Sequence, residues 1–292
     1  MSLFSLDVIG VRIRGFAMVT VLILFSAILH ASWNAFVKND DDRTTAMAWI
    51  MGLGGLATLA ALPFTSFPKP EVWPFLIATT ILQNVYFAFV ILSYRHGDLS
   101  QAYPISRGAA ALFAALASSA LGLDVLVPRE WMGICLSSVG IASLAFAASG
   151  AGTTLLRSLG YPLLSGAFTA AYSIVDGTGA RTASSPLEYV LWMNTCAAPF
   201  LPAYVLATRR AEIVRAGFTG IGPKVAAAVV AMVSYGIAVW AFSQGSMGRI
   251  AVLRETSVLF AAILGSVVLK EPFGGRRIFS ACLILAGFAL WP

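Results

Sequence analysis

Uniformly apolar stretches, each about as long as a bilayer crossing, follow one another along almost the whole chain. Segments without Asp, Glu, Lys or Arg cover residues 15–37, 44–68, 72–94, 131–156, 158–175, 189–208 and 225–248. Two more, 99–123 and 250–269, are broken only by Arg107 and by Arg254-Glu255, and a shorter one fills 278–292. Crossing about 30 Å of hydrocarbon takes about 20 apolar residues in a helix, so the pattern predicts ten transmembrane helices. Barrel strands would alternate polar and apolar over about ten residues, and these runs do not alternate. The links carry turn or charge signals, among them Lys38 to Arg43, Pro68-Lys69-Pro70 and Arg181 to Pro186, and none has room for a soluble domain. Arg12 and Arg14 before the apolar run 16–29, with Ala31 and Ser32 after it, also fit a cleavable leader. A counterpart of this segment in the second half of the chain favours a retained span, which N-terminal sequencing of the mature protein checks.

Composition agrees. Of 292 residues, 59% are hydrophobic and 11% charged, against about 45–50% and about 25% in soluble domains, and the mean hydropathy is +0.84. So little charge cannot cover a soluble surface, which excludes a cytosolic enzyme and a disordered scaffold. The net charge of +6 comes from basic residues scattered singly between apolar runs, so it is no footprint for nucleic acid. Cys135, Cys196 and Cys282 all fall inside predicted spans. An odd number there makes neither a disulfide framework nor a metal cluster, and they read as small packing residues.

The chain divides near its middle into two similar halves. At an offset of 148, Tyr94 falls on Phe242, Gly97 on Gly245, Ile105 on Leu253, Leu112 on Phe260 and Ala114 on Ala262. At 147, Cys135 falls on Cys282, Gly140 on Gly287 and Ala142 on Ala289, while Ser26 and Trp33 of the first span lie on Ser165 and Tyr172 of the sixth. The reading is a tail over 1–15, a first five-helix repeat over 16–149, a joint over 150–157 and a second repeat over 158–292. Five spans is an odd number, so the second repeat enters the membrane inverted, the architecture of secondary transporters with a site between the halves near the midplane. The expected fold is therefore an all-α polytopic membrane protein of ten transmembrane helices in two inverted-topology five-helix repeats.

Several local strings add a resemblance: His30-Ala31-Ser32-Trp33-Asn34, Gly97-Asp98-Leu99-Ser100 leading to Tyr103-Pro104-Ile105 and Arg107-Gly108, Asp176-Gly177-Thr178-Gly179 with Arg181, and Leu253-Arg254-Glu255-Thr256-Ser257. From about residue 16 to its end the chain resembles the drug/metabolite transporter superfamily in its EamA branch. The resemblance implies a carrier of amino acids, nucleotide precursors, sugars or drugs, working as exporter or exchanger, with both termini cytoplasmic. The positive-inside count points the other way. Loops after odd-numbered spans hold eleven Lys and Arg, and the N-terminus with the loops after even-numbered spans holds six, which places both termini outside.

Ionisable groups within spans are costly and are candidates for function. Arg107 lies about 12 Å into the fourth span at 1.5 Å per residue, and Arg254 and Glu255 lie at a comparable depth in the ninth. At the offset of 148 Arg107 falls on Glu255. Either guanidinium suits a substrate carboxylate or phosphate, and Glu255 could balance the empty site or carry a proton. A structural ion pair, or an Arg254 that snorkels to the headgroups, explains the same residues. His30 and Asp176 are further proton-coupling candidates, although His30 equally suits an interhelix contact, and Asp176 before Gly177 and Gly179 could simply end its helix. Tyr103, Asn34, Gln83, Asn84, Tyr172, Tyr235 and Trp240 are candidates for the substrate-binding wall, each singly as well explained by packing. Trp73, Trp131, Trp192 and Trp291 read as interfacial anchors. Pro104 suggests a kink three residues before Arg107.

The expected function is alternating-access transport of a small metabolite, most specifically an amino acid or related organic anion, across the cell membrane. No phosphate-binding loop is present to drive it with ATP, and no catalytic group, metal or cofactor is expected. The partners expected are the small-molecule substrate and membrane lipid, and no nucleic acid, with the oligomeric state open. A membrane-embedded enzyme would need a nucleophile or metal constellation that the sequence lacks. A channel or scaffold would leave the inverted halves unexplained.

Overall fold

The computed structural model describes residues 3–38, 40, 42–96, 99–143, 155–211, 220–260, 263 and 275–290. The described chain is all-helical: α1 (Leu3–Lys38), α2 (Arg43–Ala61), α3 (Trp73–His96), α4 (Leu99–Ala120), α5 (Pro128–Ser143), α6 (Leu155–Thr182), α7 (Pro186–Ala197), α8 (Phe200–Thr208), α9 (Ile221–Gln244), α10 (Met247–Glu255) and α11 (Gly275–Ala289). Among the described residues five stretches are long and apolar enough to cross a membrane: Ala17–Val37, Arg43–Phe64, Pro70–Ser93, Pro186–Thr208 and Ile221–Gln244. Val21, Leu56, Ile77, Ile81 and Val229 are exposed on their outer faces, which suits hydrocarbon and would be an aggregation surface in water. Most of the joint over 150–157, with Gly97, Asp98, Ala262 and Trp291, lies outside the described residues.

The helix starts follow local chemistry. Asp42 caps α2 by accepting from the Thr45 amide at 3.1 Å. Ser185 caps α7 through the Glu188 amide at 3.1 Å, with Pro186 at the first helical position. Inside the bilayer most polar side chains bond their own helix. Thr80, Ser93, Thr169, Thr178 and Asn194 each donate to the carbonyl four residues back, so they ask nothing of the lipid.

Three element boundaries depart from expectation. The sixth helix runs on to Thr182, past the expected end at residue 175, because Gly177 and Gly179 serve close packing rather than termination. A Cβ at Gly177 would meet Met247 and Phe242, and one at Gly179 would collide with the Tyr189 ring. The seventh apolar stretch bends between α7 and α8 at Ala198-Pro199. The ninth pauses at Thr256, whose amide and hydroxyl both donate to the Leu253 carbonyl, and helix resumes over 257–260. By contrast α4 continues through Pro104. Cys135 and Cys282 are exposed on α5 and α11, so these two are outer-face residues and not core packing groups.

The first helix of each half packs chiefly on helices of the other. α1 lies along α9, and α6 lies along α3 and α4. Reciprocal bonds join α1 to α9: the Ser26 hydroxyl donates to the Ser234 carbonyl at 2.7 Å and the Ser234 hydroxyl to the Ser26 carbonyl at 2.8 Å. The α4–α6 contact is tight at Gly166, where a Cβ would come to 2.6 Å from the Ser106 carbonyl oxygen and 2.9 Å from the Ala109 Cβ. Gly166→Ala is therefore expected to lower stability by about 1–3 kcal/mol. Gly160→Ala, on the same helix with nothing within 4 Å, should be neutral or stabilising, and thermal midpoints in detergent compare the two.

Candidate functional site

The site forms where α4 and α10 run side by side. Ala115 touches Gly248, and Ala111 packs in one cluster with Val252. One turn further along this small-residue seam, Arg107 Nη1 meets Glu255 Oε2 at 3.5 Å, with side chains only 5% and 3% exposed. The two candidates read from the sequence are thus partners. Arg107 Nη2 also donates to His30 Nε2 at 3.2 Å and to the Tyr86 hydroxyl at 3.4 Å. A guanidinium can only donate, so His30 accepts on Nε2 and carries its proton on Nδ1. The Arg107 guanidinium lies 5.1 Å from the centre of the Tyr103 ring.

Arg254, next to Glu255, is 4% exposed, and its guanidinium carbon sits 4.9 Å from the centre of the Tyr235 ring. Among the described residues it has no carboxylate partner. This burial is incompatible with snorkelling to the headgroups. An aromatic wall leads from Arg107 to Arg254: Tyr86 meets Tyr172 edge-on at 5.6 Å, and Tyr172 meets Tyr235 edge-on at 6.0 Å.

At the far end of the wall is Asp176, fully buried. Its Oδ1 accepts from the Tyr189 hydroxyl at 2.9 Å, and its Oδ2 accepts from the Tyr235 hydroxyl and from Gln83 Nε2, the latter at 3.4 Å. Asp176 therefore lies inside the bundle rather than at a helix end. A small cavity lies beside Arg107 near the start of α4, lined by Tyr86, Val90, Ser93, Ala102, Tyr103, Ser106 and Ser165.

The remaining expected wall residues lie elsewhere. The Asn34 amide donates to the His30 carbonyl at 2.7 Å and the Asn84 amide to the Thr80 carbonyl at 2.8 Å, both within their own helices. Trp240 packs against the apolar cluster of Ile23, Ala238 and Leu253. Trp73 and Trp192 stack with Phe67 at one end of the bundle, as interfacial aromatics do.

The end where α4 finishes and α10 begins is tied shut by charged residues that lie outside the expected spans. Asp124 accepts from the amides of Met247 at 3.2 Å and Gly248 at 2.8 Å, the first turn of α10. Arg249 pairs with the buried Glu130, and Arg181 donates to the carbonyls of Phe242 at 2.8 Å and Gly245 at 2.6 Å.

Several bilayer-length apolar helices around a buried polar centre, among the described residues, mark a multi-pass membrane protein. Residues 158–291, the second half of the chain, match the model of the EamA-like transporter family. Members of the family are transporters rather than enzymes. A crystal structure of a protein 20% identical in sequence superposes with a TM-score of 0.73 over 93% of this chain and 95% of its own, a likeness of fold. No curated protein matches the chain.

Proposed function

We propose that the protein is a secondary transporter working by alternating access, carrying an amino acid or related organic anion across the cell membrane as exporter or exchanger. The observation that carries this reading is Arg254: a guanidinium 4% exposed, with no carboxylate partner among the described residues, beside an aromatic wall. Glu255 and Asp176 balance its charge from a distance, but with no carboxylate in contact its donors are left for a substrate carboxylate to accept from. Arg107, already answered by Glu255, is the second anchor.

The inverted repeat is part of the same proposal, and packing supports it. Arg107 and Glu255, equivalent at an offset of 148, face each other as they would across a two-fold axis in the membrane plane. On α5 and α11, equivalent at 147, a Cβ on Gly140 would meet Ile284, and one on Gly287 would meet Ser137, the equivalent of Ile284. The pairing of α1 with α9 is answered by that of α6 with α3, and α2 with α9 by α7 with α3. The ten spans, read from the apolar pattern, and the cytoplasmic termini, implied by the resemblance to the family, belong to the proposal.

Vesicles containing the purified protein, preloaded with a panel of amino acids and organic acids, should show saturable counterflow. Arg254→Gln is expected to cut it by about tenfold or more, since a charge-assisted hydrogen bond is worth about 1.5–3 kcal/mol, while leaving the thermal midpoint nearly unchanged. Absence of counterflow across the panel, or wild-type rates in the variant, would overturn the proposal.

A further inference from the structure

We propose that Asp176 is a proton-binding site, separate from the anion anchor and linked to it through Tyr235, so that the protein takes up one proton when it binds a monovalent organic anion. This rests on the anion-site reading of Arg254. The buried centre holds two guanidiniums, Arg107 and Arg254, and two carboxyl groups, Glu255 and Asp176. With both acids ionised the empty centre is neutral. An arriving anion adds a negative charge in a medium where an unbalanced charge is expensive. One carboxylate must then take a proton, and the geometry decides which.

Glu255 faces Arg107 at 3.5 Å, and protonating it would leave that guanidinium unanswered. Among the described residues Asp176 has no cation in contact. Its partners are the hydroxyls of Tyr189 and Tyr235 and the amide of Gln83. A phenol both donates and accepts, so a turn of one hydroxyl lets the same cage hold a carboxyl group or a carboxylate. The titratable or charged groups around it are Tyr189 on α7, Tyr235 on α9, Tyr172 one turn earlier on α6 and Arg254 on α10. From α3 come Gln83 and Thr79, which do not titrate, and from α4 Arg107, reached through Tyr86 and Tyr172.

Tyr235 connects the two sites directly. Its hydroxyl donates to Asp176 while its ring lies under the Arg254 guanidinium. An ionised Asp176 helps to answer Arg254 across that ring, and a protonated one leaves Arg254 to the incoming anion. The coupling is reciprocal, as any linkage is. Asp176 lies six residues from the end of α6 at Thr182, about 9 Å at 1.5 Å per residue. That places the proton site toward the tied end of the bundle, while the cavity by Arg107 lies near the start of α4.

The test is the proton count on ligand addition. Purified protein in weak buffer with an indicator dye receives saturating acetate, L-lactate and L-glutamate together, with L-alanine as a zwitterionic control. Wild type should take up about one proton per protein with the acids, because one site couples to one anion, and none with alanine. The acids should bind about tenfold more tightly per pH unit lowered across the coupled range. Asp176→Asn, which mimics the protonated acid, should show no uptake and pH-independent binding. If that variant does not fold, Tyr189→Phe should move the midpoint pH of uptake while keeping its stoichiometry. Uptake unchanged in Asp176→Asn, or a midpoint unmoved in Tyr189→Phe, would overturn the inference. A thermal shift with the acids but no uptake in wild type would overturn it and leave the anion site standing. With neither shift nor uptake, both fall.

Discussion

Replacing Arg107 by alanine is expected to cost about 3–5 kcal/mol of stability, because it leaves Glu255 buried without its partner. The side chains are 5% and 3% exposed, so water cannot take over the missing role. Glu255→Ala should cost a similar amount. Removing both charges together, as Arg107→Met with Glu255→Met, should restore a midpoint close to wild type, since an apolar pair of similar volume often replaces a buried ion pair without loss. Transport should stay absent in the double variant. Exchanging the two, Arg107→Glu with Glu255→Arg, should recover folding better than either reversal alone, giving a coupling of about 0.5–3 kcal/mol in the cycle. Unfolding of the purified variants and counterflow in vesicles separate the two effects. A wild-type midpoint in Arg107→Ala would mean that the pair is not shielded from water.

The second large effect is expected at Asp124. Its carboxylate satisfies two of the amides that every helix start leaves open, and α10 has only nine residues, ending at the site. Asp124→Ala should cost about 0.5–2 kcal/mol as a lost cap and should loosen this end of the α4–α10 seam. Hydrogen exchange at residues 247–250 should then accelerate by about 2- to 30-fold, the same free energy expressed as a rate ratio. In an alternating-access cycle the tied end must open, so the variant should favour the state open there. Protection equal to wild type at those amides would show that Asp124 does not hold the seam.

Much of this centre was legible in the sequence because charge in hydrocarbon stands out. Arg107, Arg254 and Glu255 interrupt otherwise apolar runs, and the offset of 148 already placed two of them at equivalent positions. Asp176 was harder to place. Glycines at 177 and 179 suggest an ending by soluble rules, but a membrane helix tolerates them where a neighbour needs the space, here Met247 and the Tyr189 ring. Tyr189 itself carries no local signal, since its bond to Asp176 crosses the Ser185-Pro186 turn. Asn34 and Asn84 show the converse: a span amide looks alike in sequence whether it faces a cavity or bonds the carbonyl four residues back. Asp124 and Glu130 fall between the apolar runs, and nothing local marks them, because their partners lie more than a hundred residues away.

The reciprocal serines on α1 and α9 bear on how the chain is made. Ser26 and Ser234 are 208 residues apart, so at about 5–20 residues per second the first helix waits about 10–40 s for its partner to be synthesised. Until then Ser26 and the face around it lie in the membrane without their final neighbours. The first half therefore cannot complete its packing before the second arrives. Biogenesis of this protein should be limited by that late closure rather than by the insertion of any single span.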